Sequence, residues 1–524
     1  MGKSGKREGF LLGALMLSFS GLLVKISGLV FRVGVTGLVD QNDAAMSHFS
    51  AAYSVYTFLL SLATSGIPIA ISAMVSKALA LGKYKDVKQL IKYVTVIFVA
   101  FGAAVTALGM IFARPIARFI NNDDSYYCML LIMPSVFFIS VVSVYRGFFQ
   151  GYNNMKPTSV SNFVDAMIKL VAGVGIAAYL QKNGYPAHII VAGAIAGVSL
   201  GAFGSCLYMF LRYVFRNKDY RITVAQFMAD EGTPPKSLMK EFMMIALPVA
   251  LSSITVQLMG LIDTTVIINR LKTLMPEVEA QAAYGAYSTK ATAIFNLPSF
   301  FIITIGVSLV PSISAAFAKK DSVLVKRTGN LALKYSSIIA FACALGLSAV
   351  SQPTIQLIFS GSTPLAGELL SILSLSLVAV GFTNVTTYML QAIGKAYQTV
   401  VSTVVGVILK SILTFLLLEP LGIYGAPVAT NIAYPVMFII NLVYIKKYLG
   451  FVPNFIDILL KPFFAGIACF GAAWGTLKLF DIWEISQKIA LFPAIAAGAV
   501  VYIALLFILK LVTMNEIKQV VKKK

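Results

Sequence analysis

The stretch Gln150–Lys169, QGYNNMKPTSVSNFVDAMIK, aligns without a gap on Gln391–Lys410, QAIGKAYQTVVSTVVGVILK. Identities fall at Gln150/Gln391, Thr158/Thr399, Val160/Val401, Ser161/Ser402, Val164/Val405 and Lys169/Lys410. Each copy leaves a polar interval, enters an apolar one and ends on a lysine. A weaker match at a similar offset sets Ser76–Lys88 against Ser314–Lys326. Long-range self-similarity of this kind marks folds built from two related halves, a frequent construction among transporters.

The surroundings of the repeat say what solvent it lives in. The 524 residues are 58% hydrophobic and 12% charged, whereas soluble domains average roughly 45–50% and about 25%. A water-soluble enzyme is excluded. A helix needs about 20 apolar residues to cross the hydrocarbon core, and fourteen stretches qualify: 9–37, 46–76, 89–112, 126–149, 157–180, 187–211, 240–268, 281–317, 329–350, 366–393, 398–418, 423–445, 457–479 and 488–511. The repeat offset covers six of them. Because six is even, the two halves run in the same direction, related by an axis along the membrane normal. The expected fold is an all-α polytopic membrane protein of 14 transmembrane helices in two parallel-repeat lobes of six. Lobe one is 1–213, a cytoplasmic linker with Pro234 and Pro235 is 214–239, lobe two is 240–447, and 448–524 adds helices 13 and 14 with a basic tail.

Charge sets the expected direction. Forty-two Lys and Arg stand against 21 Asp and Glu, a net charge of +21. With the N-terminus inside, most of the cations fall in cytoplasmic loops and termini. The outside loops hold only Arg114, Arg118, Lys182, Arg270, Lys272, Lys478 and Lys488. That bias is the positive-inside pattern, which predicts both termini inside and removes any need for nucleic acid as a partner. Lys3, Lys6 and Arg7 precede an apolar run that is too long for a signal peptide and lacks a small-x-small site, so the run reads as the first span. Cys128, Cys206, Cys343 and Cys469 are scattered through apolar stretches and read as small core residues.

Polar groups at membrane depth are costly and therefore informative. The basic ones are Lys25 and Arg32 in span 1, Lys169 in span 5, Lys290 in span 8 and Lys410 in span 11; the acidic ones are Asp165 in span 5 and Asp263 in span 7. Lys25 and Arg32 lie two helical turns apart and share a face with Gly21 and Gly28. Lys169 and Lys410 are repeat equivalents. Asp165 and Lys169 stand at i and i+4, where a structural ion pair and a substrate role are both open. Asp263 is open to pairing with a lysine or to relaying a proton. A surplus of cations suits an anionic or anion-headed substrate, and Pro68, Pro248, Pro298 and Pro311 fit a bending, solvated interior. With no GxxxxGK[ST], HExxH, GxSxG or CxxC pattern, neither ATP hydrolysis, a metal, a cofactor nor embedded catalysis is expected. Transport would then draw on an ion or substrate gradient or on the membrane potential, worth about 2.3 kcal/mol per charge per 100 mV.

Together with the span count and the parallel lobes, RGFFQGYNNMKPTSVSN (Arg146–Asn162), GLLVKISGLVFR (Gly21–Arg32) and FNLPSFFIITIGVSLVPSIS (Phe295–Ser314) resemble the polysaccharide flippases of the multidrug/oligosaccharidyl-lipid/polysaccharide exporter superfamily. The branch resembled is that of stage V sporulation protein B and the lipid II flippases. The resemblance implies a V-shaped fold alternating between inward-open and outward-open, in a bacterial cell membrane. It implies a cationic cavity for the pyrophosphate and sugars of an undecaprenyl-linked precursor, such as lipid II, and a groove at helices 13 and 14 for its lipid tail. Lys25 and Arg32 match the basic positions of the family's first helix, and Lys290 falls where its eighth helix often carries one. Ser47–Ser76 contains no Lys or Arg, unlike the second helix of a better-known branch.

The expectation is a flippase in which Lys25, Arg32, Lys290 and Lys410 bind pyrophosphate. Lys169 contributes unless Asp165 holds it, and Asp263 couples an ion or braces a lysine. Its partners would be an anionic lipid-linked glycan, membrane lipids and cell-wall polymerases. A cation-coupled multidrug exporter of the same superfamily would prefer acidic cavity residues, and a non-transporting scaffold would have no use for five costly cations.

Overall fold

The computed structural model describes residues 3–64, 66–152, 154–215, 232–318, 321–450 and 452–512. Most of the polar linker and the basic tail from 513 lie outside the described residues. All regular structure among the described residues is helical. Eleven described helices are long and apolar enough to cross a membrane, or twelve if one bent pair is a single span. The chain is a multi-pass membrane protein. Its helices cover all of the expected stretches, with 398–418 and 423–445 falling in one apolar run, Ala396–Leu449, and 281–317 falling on Glu277–Ala318.

The chain divides into two compact units, Met1–Asn269 and Arg270–Lys524. The first holds α1 (Lys3–Leu38), α2 (Asp43–Thr64), α3 (Ile67–Ala80), α4 (Tyr84–Ile111), α5 (Ala113–Phe119), α6 (Ser125–Ile132), α7 (Pro134–Gly151), α8 (Lys156–Lys182), α9 (Ala187–Val214) and most of α10 (Pro235–Leu274). Its core is built by α3, α4, α7, α9 and the start of α10, with Ile71, Leu90, Phe149, Met209 and Phe242 buried together. The division comes one helix beyond the polar interval because α10 is fastened to this core. Leu238, Phe242 and Ala246 enter it, Lys77 Nζ donates to Glu241 at 2.7 Å, and Asp86 accepts from the Thr233 amide and hydroxyl, each at 2.6 Å.

Lipid removes most of the hydrophobic drive for helix association, so small residues and interhelical hydrogen bonds have to hold the unit together. Gly147 and Gly151 of α7 lie flush against Ile71 and Val75 of α3, where Ser76 Oγ donates to the Gly151 carbonyl at 2.7 Å. Gly193, Gly197, Gly201 and Gly204, on one face of α9, bring it against α8. His48 of α2 serves a similar structural purpose. Its Nδ1 lies 2.5 Å from Asn122 Oδ1, joining α2 to the turn between α5 and α6.

Several prolines start helices instead of bending them. Pro68 sits in the first turn of α3, after a break at Gly66, whose φ of +84° suits only glycine. Pro134 likewise opens α7. Pro248, Pro298 and Pro311 do lie inside helices.

The second unit holds α11 (Glu277–Gly285), a π-helical turn at Ala286–Ala291, α12 (Thr292–Ala318), α13 (Ser322–Ala349), α14 (Ser351–Ile358), α15 (Pro364–Ser374), α16 (Ser376–Ala392), α17 (Ala396–Leu421), α18 (Gly425–Leu449), α19 (Lys461–Ile482) and α20 (Gln487–Ile508). α15 and α16 form the bent pair, turning by 43°. Phe382 of α16 stacks on Phe438 of α18 with centroids 5.0 Å apart. Asn441 of α18 donates to Thr386 and Thr387 of α16 at 3.2 and 3.1 Å. α19 and α20 pack on α13 through Ala465, Cys469 and Tyr502, whose hydroxyl donates to the Ile338 carbonyl at 2.6 Å.

Candidate functional site

In the first unit the polar residues gather around a row of aromatic rings. Phe31 of α1 and Phe49 of α2 lie 5.9 Å apart between centroids, Phe49 stacks on Tyr53 at 5.6 Å, and Tyr53 meets Tyr56 at 5.4 Å. The row exists because α1 packs on α8 and crosses α2, and α2 presents residues 49, 53 and 56 on one face at helical spacing. Two cations rest on it. The Arg32 guanidinium sits 5.8 Å from the Phe49 centroid, and Lys169 Nζ sits 5.7 Å from that of Phe31. A cation over a ring face gains from the ring's quadrupole without surrendering its charge.

Lys25, two turns before Arg32, is exposed. Between them Ser27 donates to the Ala166 carbonyl of α8 at 3.2 Å, which fixes the register of α1 against the helix carrying Asp165 and Lys169. Asp165 is partly buried, and its Oδ1 lies against Gly201 of α9. Asp263 lies on α10 beside Thr264, whose hydroxyl donates to Ser54 Oγ of α2 at 2.9 Å.

One cation here escaped the sequence reading. Arg146 of α7 falls within the expected fourth span, close enough to its inner end to pass for a loop charge. It is instead largely buried. Its Nε and Nη2 donate to Ser161 Oγ of α8 at 3.2 and 2.8 Å, and Nη2 reaches Ser205 Oγ of α9 at 3.4 Å. The two serines are themselves 2.7 Å apart. Arg146 interacts electrostatically with Asp165 and with Tyr56 at the end of the aromatic row. The available signal was its apolar surroundings, VVSVYRGFF.

In the second unit Lys290 is fully buried in the π-helical turn and donates to Ser362 Oγ at 3.0 Å. π-Turns are uncommon and cluster at functional positions, because the extra residue re-aims a side chain. Lys410 is buried on α17. Also in this unit, α12, α13, α14, α19 and α20 line an open cavity of about 530 Å³ with an almost wholly apolar lining that includes Leu297, Leu347, Ile358, Cys469, Ile495 and Ile503. Among the described residues no group of three or more His, Cys, Asp or Glu is arranged to hold a metal.

The chain is similar along nearly its whole length to two curated relatives and to a solved structure. It is 24% identical to stage V sporulation protein B of Bacillus subtilis over 98% of each chain. Against the lipid II flippase MurJ of the same organism it is 25% identical over 94% of each. A solved structure of lipid II flippase MurJ, in an inward closed conformation, superimposes with a TM-score of 0.69 at 15% identity, covering 94% of this chain and 98% of that one, which is a likeness of fold. Residues 10–317 match the family described as polysaccharide biosynthesis protein. This all-helical chain, with cations set on aromatic rings, belongs to the polysaccharide biosynthesis protein family.

Proposed function

We propose that the protein is a flippase for an undecaprenyl-pyrophosphate-linked saccharide, with lipid II as the substrate, carried from the inner to the outer leaflet by alternating access. The observation that carries this reading is the excess of cations in the first unit. Lys25, Arg32, Arg146 and Lys169 stand against Asp165 and Asp263, and two of the cations rest on an aromatic row. Phosphate oxygens would be held by Lys25, Arg32 and Lys169, and by Lys290 and Lys410 of the second unit, while the rings offer faces for sugars. Asp263 would couple an ion or brace a lysine.

The apolar cavity between α12–α14 and α19–α20 would take part of the polyprenyl tail. A polyprenyl chain has no polar group to satisfy, so an apolar pocket suffices for it. In this reading 1–213 and 240–447 act as the two moving lobes and 448–524 attaches to the second. Excess positive charge disfavours a cationic drug as cargo, since like charges at low dielectric repel strongly.

Flipping of purified lipid II in proteoliposomes tests the reading. Wild type should expose the lipid to an outside probe well above protein-free vesicles. A folded wild type that leaves it inside would overturn lipid II as the cargo.

A further inference from the structure

α17 and α18 are joined through the short turn Gly422–Tyr424 and pack along each other, so the start of one meets the end of the other. Lys395 stands immediately before α17, and Lys447 and Tyr448 lie in the last turn of α18. The Tyr448 ring gathers the cations there. Lys395 Nζ lies 4.9 Å and Lys447 Nζ 5.8 Å from its centroid. Two contacts fix the ring: Gln398 Nε2 donates to its hydroxyl at 3.0 Å, and Tyr444, one turn earlier, stacks on it with centroids 6.5 Å apart. A third cation reaches the same end of α18, since Lys326 Nζ of α13 lies 3.7 Å from where a Cβ on Gly450 would stand.

Among the described residues no carboxylate and no hydrogen-bond acceptor meets the Lys395 or the Lys447 ammonium. The acids on adjoining segments are engaged elsewhere. Asp321 accepts from the Leu324 amide at 2.9 Å, and Asp457 pairs with Lys461 at 2.6 Å. Two ammoniums drawn to one ring repel each other, and the ring's quadrupole attracts each without neutralising either. An anion bridging them removes that repulsion. The Tyr448 hydroxyl, already accepting from Gln398, keeps its own proton to donate to the same anion.

The internal repeat has no counterpart to this arrangement. Aligned with Lys395 and Gln398 are Asn154 and Pro157, so the cluster is an addition to the second copy and not a demand of the shared scaffold. Tyrosines and lysines at the end of a spanning helix sit at headgroup level, where the abundant anions are lipid phosphates.

We propose that Lys395, Lys447 and the Tyr448 hydroxyl form a binding site for the phosphate headgroup of an anionic phospholipid, a lipid of the surrounding membrane and distinct from the cargo.

Native mass spectrometry of the purified full-length protein in neutral detergent, titrated with phosphatidylglycerol, tests this. Wild type should retain phosphatidylglycerol saturably and release phosphatidylcholine. Lys395→Gln/Lys447→Gln should weaken retention about tenfold or more. Lys83→Gln/Lys92→Gln removes the same charge from exposed positions of the first unit and should leave retention within about twofold. An equal loss in both double variants would reduce the effect to overall charge and overturn the site. Tyr448→Leu keeps the net charge and should still weaken retention several-fold; unchanged retention in it overturns the proposal as well. The two double variants decide the matter if Tyr448→Leu does not fold. Equal retention of phosphatidylcholine, or displacement of the lipid by soluble glycerol phosphate, overturns an anionic lipid as the occupant.

Discussion

Lys25 and Lys290 illustrate two ways of keeping a cation at membrane depth. Lys25 is exposed on α1, so its removal disturbs little packing. Lys25→Ala should cut lipid II flipping at least about tenfold while changing stability by less than about 0.5 kcal/mol, as surface substitutions do. Flipping in proteoliposomes and thermal unfolding in detergent check the two halves, and normal flipping would remove Lys25 from the site. Lys290 is fully buried and donates to Ser362. Lys290→Ala removes a buried donor and leaves a void, so it should cost about 1–3 kcal/mol of stability in addition to lowering transport. Wild-type melting of that variant would show that the π-turn does not depend on its ammonium.

At the level of elements, the first unit depends on glycines that let helices touch. A Cβ on Gly201 would stand 2.6 Å from the Asp165 carbonyl oxygen and 3.2 Å from Lys169 Cβ, whereas at Gly175 of α8 nothing lies within 4 Å. Gly201→Val should therefore destabilise the protein by about 1–3 kcal/mol through overpacking, and Gly175→Ala should be close to neutral. Thermal unfolding of the two variants side by side checks this, and equal melting would mean that α8 and α9 can part without cost. Because Gly201 borders the Asp165 carboxylate, the same substitution should also disturb the site, so seam and site are one construction. The break at Gly66 belongs to this scale too. One apolar stretch, 46–76, reads as a single span and remains one, Asp43–Leu79, within which left-handed Gly66 and Pro68 interrupt the helix between α2 and α3.

At the scale of the molecule, α19 and α20 lie outside the repeat yet are fastened to the second unit, where they complete the wall of its apolar cavity. If the cavity takes the lipid tail, filling it should discriminate by tail length. Ala499→Trp should reduce transport of a long-chain lipid pyrophosphate several-fold and spare a short-chain analogue, because a large side chain removes apolar volume without touching the cations. Transport of both lipids at the wild-type rate would exclude the cavity as the tail's place.

What the sequence determined by itself was everything that follows from the membrane as solvent. Hydrocarbon forces each crossing segment to satisfy its own backbone as a helix, so length and apolarity located the spans from Ser20–Leu38 to Gln487–Ile508, and the high cost of buried charge flagged Lys25, Arg32, Lys169, Lys290, Lys410, Asp165 and Asp263. Tertiary structure alone decided how those charges are matched, because matching depends on side chains that meet from different helices. The i, i+4 spacing of Asp165 and Lys169 is legible along α8, but Arg146, brought in by α7 and held by Ser161 and Ser205 from two further helices, is not. The aromatic row under Arg32 and Lys169, the π-turn around Lys290 and the docking of α10 on the first unit share this origin. Each is a contact between segments remote in sequence, and periodicity along one helix carries no information about its neighbour.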